Sequence, residues 1–237
     1  MNQESLNTLL DAAREYATQE ALGLVLLWSD MQSKRVGPAS EAKFVRSALA
    51  AGHAAADDLC SRFGSLTPEG YASRLGVAVH TTDRDPLRGD QLLYAEYCDK
   101  SSEILLYQRA LDHLRSATEN DVAGRYFGGL NVSSLFIAHE LYHCVEARRR
   151  ESPIARRHRV VLIRVGPFRW HSGLSSLGEI AAGCCAQRLL RLEYHPKMLD
   201  FVTLHAFDPA TATAALATLR QAAAVVANWT ARAPHSA

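Results

Sequence analysis

Between Asn131 and Arg150 the chain reads NVSSLFIAHELYHCVEARRR, and within this run His139-Glu140-Leu141-Tyr142-His143 sets two histidines four residues apart with a glutamate directly after the first. No proline or glycine interrupts the run, and Leu135-Phe136-Ile137-Ala138 ahead of the motif is apolar, so a buried helix is expected, entered through Asn131 or Ser133 as its cap. At 3.6 residues per turn the two imidazoles stand one above the other on one face, where they can share a metal ion. Glu140 then sits where a carboxylate can reach a metal-bound water without itself coordinating, the position of a general base. Such a five-residue pattern also arises by chance, in which case both histidines are ordinary surface or core residues.

The rest of the chain supplies a frame for that helix. Apolar residues recur at helical spacing from Glu4 to about Gln32 and again from Ser40 to Arg62, before Gly64, which predicts two opening helices. Three short runs rich in Val, Ile, Leu and Tyr follow, Leu75 to His80, Gln91 to Tyr97 and Glu103 to Gln108, separated by turn-forming stretches. Further helices are expected over Ser176 to Glu193 and Pro209 to Trp229, with a strand-like run at Val160 to Val165. The expectation is an α+β fold, a small mostly antiparallel sheet packed beside the motif helix with flanking helices. Its parts would be an N-terminal helical region (1–64), a central domain (65–207) with a basic insert near 148–175, and a C-terminal helix (208–237).

Charge and cysteine content narrow the setting. With 26 Lys and Arg against 25 Asp and Glu in 237 residues, the balance gives no global argument for nucleic acid or an anionic membrane. Five cysteines without a CxxC pair fit neither a disulfide framework nor a cysteine zinc knuckle and suggest a reducing compartment. The opening MNQESLNTLL lacks the character of a secretory signal, Ala21 to Trp28 is too short to span a membrane, and Ala210 to Trp229 is interrupted by Arg220 and Gln221. A cytoplasmic protein without a membrane partner is the expectation.

A metal site that leaves a position for water needs a third protein ligand, and two glutamates compete. Glu146 lies on nearly the same face as His143 but about 5 Å further along the same rod, so convergence is strained. Glu179 opens the next predicted helix, and a ligand from a second, crossing helix can complete what one helix cannot. Its alternative use is a capping box, since Ser176-Leu177-Gly178-Glu179 fits S-x-x-E.

Phe136-Ile-Ala-His-Glu-Leu-Tyr-His143 together with Glu179-Ile-Ala-Ala-Gly-Cys-Cys-Ala-Gln-Arg-Leu-Leu190 resembles the ImmA/IrrE-type minimal gluzincins, over roughly residues 70 to 195. The resemblance implies a zincin-like fold, zinc held by His139, His143 and Glu179, Glu140 as catalytic acid/base, and a protein substrate such as a transcriptional regulator. The chain departs from the family pattern at Tyr142 (usually Gly), Gly183 (usually Asn) and Cys185 (usually Phe), and its interval between His143 and Glu179 is longer. Loss of a polar group at residue 183 would remove a partner that orients a ligand.

Residues 148 to 169 carry Arg148, Arg149, Arg150, Arg156, Arg157, Arg159, Arg164 and Arg169 against Glu151 alone, with Phe168, Trp170 and His171 at the far end. This fits a lid or docking surface for an acidic partner, or a solvated helix end and exposed loop. Attack on a peptide carbonyl needs an oxyanion stabiliser, for which Tyr126, Tyr142, His171 and Tyr194 are candidates. Glu103 to Gln108 is read either as an edge strand for an extended peptide or as a strand paired on both sides. Cys184 and Cys185 are read as close-packing residues, and Cys144 points about 100° away from His143. The leading expectation is a zinc peptidase acting on a peptide or protein. A metal-containing binding module that recruits a protein or, less favoured, nucleic acid through the basic insert is the alternative; a di-iron bundle fails for want of a second ExxH.

Overall fold

The computed structural model describes residues 3–89 and 91–231 and has an α+β architecture. The N-terminal region contains α1 (Gln3–Tyr16), α2 (Gln19–Ser29), a 3₁₀ turn (Ser33–Arg35) and α3 (Pro38–Phe63). The continuous helix expected over Glu4 to Gln32 is therefore two. Thr18 adopts an extended conformation and its hydroxyl accepts from the Ala21 N–H at 3.1 Å, so a capping threonine overrides the unbroken apolar spacing. Helix α3 stops at Gly64, whose φ of +76° suits a residue without a β-carbon.

After α4 (Pro68–Arg74) come β1 (Ala78–Thr82), β2 (Leu87–Arg88), β3 (Gln91–Leu92), β4 (Ala95–Cys98) and β5 (Glu103–Tyr107). The main sheet is three-stranded in the order β1-β5-β4, parallel between β1 and β5 and antiparallel between β4 and β5. It is thus mixed rather than mostly antiparallel, because β1 reaches β5 through a connection that contains β4. The run Gln91 to Tyr97 is divided, β3 pairing with β2 in a separate ribbon and β4 joining the main sheet. Of the two readings of Glu103 to Gln108 the structure has the second: β5 is central, and β4 is an edge.

Helices α5 (Gln108–Thr118) and α6 (Asp121–Phe127) lead to α7 (Val132–Arg148), capped by Asn131, whose side-chain oxygen accepts from the Ser134 N–H at 3.0 Å. A short α8 (Ile154–Arg157) and the hairpin β6 (Arg159–Val165) and β7 (Phe168–Gly173) form the basic insert. Then follow α9 (Ser176–Leu190), a 3₁₀ turn at Pro196–Met198, α10 (Leu199–Phe207) and α11 (Pro209–Ala231).

Helix α9 is the buried axis, packed between α3 and α7. Its run Ile180 to Ala186 is buried throughout and consists mostly of Ala, Gly and Cys, small side chains that let neighbouring backbones approach. Gly52 of α3 shows how closely: a β-carbon there would lie 2.2 Å from the Ala181 carbonyl oxygen. Helix α11 has the length and mean hydropathy, 1.2, of a membrane span despite Arg220, so that charge does not exclude it as the sequence reading held. In the fold α11 buries Ala212, Leu216, Leu219, Ala222 and Val226 and packs against α1, α2 and α10, while the Arg220 guanidinium stands 5.5 Å from the Tyr16 ring centre.

Candidate metal centre

Helices α7 and α9 cross so that His139, His143 and Glu179 face one another. His139 Nε2 lies 3.1 Å from Glu179 Oε2, and His143 Nε2 lies 3.6 Å from Glu179 Oε1. One donor atom from each of the three falls within 4.8 Å of the others, a spacing at which a metal ion can be held. The two imidazoles are 5.3 Å apart between ring centres, as four-residue spacing on one helix requires. Gly178 faces His143, at 3.6 Å from where its β-carbon would be, so small residues of α9 let the α7 histidines come close.

The two competing roles of the glutamates separate cleanly. Glu146 is already engaged: its Oε1 accepts from the Tyr142 hydroxyl and from the Ile154 N–H, each at 2.8 Å. Glu179 does not cap its own helix. Ser175 occupies the cap position without a capping bond from its side chain, its hydroxyl donating to Asp30 Oδ2 at 3.4 Å, and the Ser176 N–H donates to the same oxygen at 3.0 Å, which leaves the Glu179 carboxylate to the histidines.

Glu140 is buried and its carboxylate turns toward the sheet. Its Oε2 accepts from the Tyr97 N–H at 2.8 Å, an amide on the outer side of edge strand β4. That bond fixes one oxygen and leaves the other for a small ligand in the groove shared by His139, Glu140, His143, Glu179 and residues 92–97.

Electrostatics couple the three side chains. Burial works to lower the His139 pKa, but the hydrogen bond and charge of Glu179 reverse it and hold the imidazole above its ordinary value. Burial likewise works to raise Glu179, yet the hydrogen bond to His139 and the charges of His139 and His143 bring it down to about 2. Such mutually stabilised histidine and carboxylate groups are a common signature of functional sites.

The four candidate oxyanion groups lie elsewhere. Tyr126 donates to Asp11 at 2.5 Å, Tyr142 is buried and donates to Glu146, Tyr194 packs edge-on against Phe127, and His171 stands exposed on β7 opposite Val161. None of them lines either of the two cavities that border His139 and Glu179. Burial raises Cys184 to about 12 and lifts Cys185 further, consistent with thiols that serve packing.

One neighbour had no motif to announce it. His195, before the 3₁₀ turn, is 3% exposed and lines the second cavity with His139, Glu179 and Gly183. Burial, aided by the charges of Lys197 and His139, lowers its pKa to about 3, so the ring is neutral at pH 7. The missing side chain at Gly183 is what admits it, since a β-carbon there would lie 3.0 Å from His195 Cε1. Comparisons with protein-family models, curated proteins and solved structures return no match for this chain.

Proposed function

We propose that this protein is a zinc-dependent peptidase of zincin-like design, with zinc bound by His139, His143 and Glu179. The convergence of these three donors from two crossing helices carries the proposal. Zinc–nitrogen and zinc–oxygen bonds of about 2.0–2.1 Å at tetrahedral angles separate donor atoms by about 3.3 Å. The nearest approaches to Glu179, 3.1 Å from His139 to Oε2 and 3.6 Å from His143 to Oε1, lie near that value, one donor atom from each residue falls within 4.8 Å of the others, and two imidazoles with one carboxylate leave a fourth position free. When bound, zinc supplies Lewis acidity, lowering the pKa of a water and polarising a carbonyl.

The chain's own groups supply the rest. Glu140, tethered at Oε2 by the Tyr97 amide, offers Oε1 to take the proton of the attacking water and to return it to the leaving amine. Edge strand β4 flanks the same groove, and the carbonyl of Tyr94, the residue just before it, is already paired to the Tyr107 N–H, so the opposite edge faces the groove and an extended peptide can lie along it. The motif resemblance to the ImmA/IrrE-type minimal gluzincins agrees with this assignment and makes a protein substrate, a transcriptional regulator among them, the class to try first. A cytoplasmic setting fits the free thiols.

Metal analysis by plasma mass spectrometry on untagged protein tests the reading. About one zinc per chain in the wild type, falling in His139→Ala and Glu179→Ala and retained in Glu140→Gln, is the expected result. Glu140→Gln should then lose hydrolysis of a peptide library by at least about 100-fold. A wild type that takes up no zinc when it is offered overturns the peptidase. A second reading, a binding module acting through the basic hairpin, is favoured by the exposure of Ile163, Val165, Phe168 and Trp170. It gains if Glu140→Gln keeps full biological effect.

A further inference from the structure

The β6–β7 hairpin stands clear of the fold on both faces. From Ile163 to His171 every residue is exposed, while the base is anchored by buried Val160 and by the Arg35 guanidinium, which donates to the Val161 carbonyl at 3.2 Å. The register sorts the side chains. Ile163 opposes Trp170 and Val165 opposes Phe168 on one face, with Phe168 76% and Trp170 74% exposed; Arg164 opposes Arg169 on the other. Like charges set directly across a ribbon destabilise it, and neither arginine has an ion-pair partner among the described residues. Glu151, the one acid in the insert, is taken by Arg157 at 2.5 Å.

The wider charge is as one-sided. Of the chain's 26 basic and 25 acidic residues, eight arginines and one glutamate lie within 148–171, which leaves 18 against 24 elsewhere. The near-neutral total therefore hides a cationic insert on an anionic remainder, and an anionic surface draws such a molecule in hairpin first.

An occupant has to satisfy both faces. Single-stranded nucleic acid stacks its bases on rings and sets its phosphates against cations along one surface, but here rings and arginines point in opposite directions. A folded acidic protein likewise presents one surface to one face. A second copy could cover the apolar face only by bringing together two segments that each carry eight arginines against one glutamate. A lipid headgroup layer surrounds the whole ribbon: acyl chains take Ile163, Val165, Phe168 and Trp170, while phosphates pair with Arg164 and Arg169 and relieve their repulsion.

We propose that the β6–β7 hairpin binds anionic lipid bilayers, entering tip first to the boundary between headgroups and acyl chains. At about 3.4 Å per residue the pairs Val165–Phe168 and Ile163–Trp170 stand about 7 Å apart along the ribbon, which matches the depth of about 5–10 Å that interfacial elements reach. The leading turn, Gly166-Pro167, suits that entry, since proline brings no N–H to be stripped of water. This surface is independent of the metal and of the peptidase reading.

The test sediments full-length protein with vesicles of phosphatidylcholine, alone or with about 30% phosphatidylglycerol, in about 0.15 M and about 0.5 M salt. Binding to the anionic vesicles should exceed binding to the neutral ones by about tenfold at the lower salt and weaken at the higher. Brominated acyl chains should quench part of the tryptophan emission, and Trp170→Phe, which leaves Trp28 and Trp229 in place, should still bind but lose that quenching. Arg164→Gln with Arg169→Gln should remove most of the anionic preference, and Phe168→Ser with Trp170→Ser should weaken binding at least about tenfold at an unchanged circular dichroism spectrum. Wild type that ignores anionic vesicles, or binds both kinds equally, overturns the proposal without any variant having to fold. Binding without quenching also overturns it, by placing the contact on another element such as apolar α11. Retention of polyglutamate or a single-stranded oligonucleotide, or dimerisation through the hairpin, in each case without vesicle binding, overturns it in favour of that partner. Zinc uptake enters none of these readouts, so failure here leaves the peptidase reading where it stands.

Discussion

At the scale of single residues, the candidate metal site joins a short-range pair, His139 and His143, to a carboxylate from a second helix, Glu179. The relation of His139 to His143 is local, four residues on one rod, and so was visible before any fold was known; Glu179 was favoured because Glu146 lies too far along the same rod, and the family resemblance pointed the same way, but the contacts that engage Glu146 elsewhere are ones no spacing reveals. His195 was invisible, since its environment is made by a missing side chain at residue 183 and by a turn twelve residues later. Its burial has a measurable cost in acid. With a folded pKa of about 3 against 6.5, the unfolded chain takes up the proton first, so stability from this group is whole above pH 6.5 and drains away as pH falls toward 3. Between pH 6.5 and 5 the loss should be about 1.6 kcal/mol, the slope steepening toward about 1.4 kcal/mol per unit below pH 6. Urea unfolding of wild type and His195→Asn across that range reads the difference: the variant should lack this part of the slope, and parallel curves would show that the ring is not held neutral.

Among elements, helices were easier to foresee than strands. Long apolar periodicity marks α3, α7, α9 and α11 in the sequence, but the partner and direction of a five-residue strand are set by contacts distant along the chain, which is why the parallel pairing of β1 with β5 was not legible and the place of β5 stayed open between edge and centre. The packing of α3 on α9 makes a separate demand. Gly52→Ala would press a methyl group against the Ala181 carbonyl, backbone against which no rotamer change gives relief, and should destabilise the protein by about 1–3 kcal/mol in chemical denaturation. A neutral result would mean that the two helices can separate without loss. Gly124, whose β-carbon would meet nothing within 4 Å, is the control, with no such steric penalty.

For the whole molecule, the insert and the core obey different rules. Val165 pairs with Phe168 and Ile163 with Trp170 across the β6–β7 hairpin, and all four are exposed, whereas Arg164 and Arg169 pair between them in the register and so occupy the other face. Replacing Phe168 and Trp170 together by serine should leave the melting temperature within about 2 °C while reducing binding of a hydrophobic dye, because these rings contribute little to the core. A large fall in melting temperature would place the hairpin within the cooperative unit. The bond from the Tyr97 amide to Glu140 spans two such parts, the sheet edge and the helix that carries the histidines. It turns an outward-facing edge proton into a clock: in deuterated water the Tyr97 amide should exchange far more slowly than an open edge position, and Glu140→Ala should release it to the rate of its exposed neighbours. Under the proposed docking of a peptide along this edge, an arriving chain would meet one rung already occupied, so its grip would begin at Ala95, and the Glu140 carboxylate would set the frame in which that chain is read.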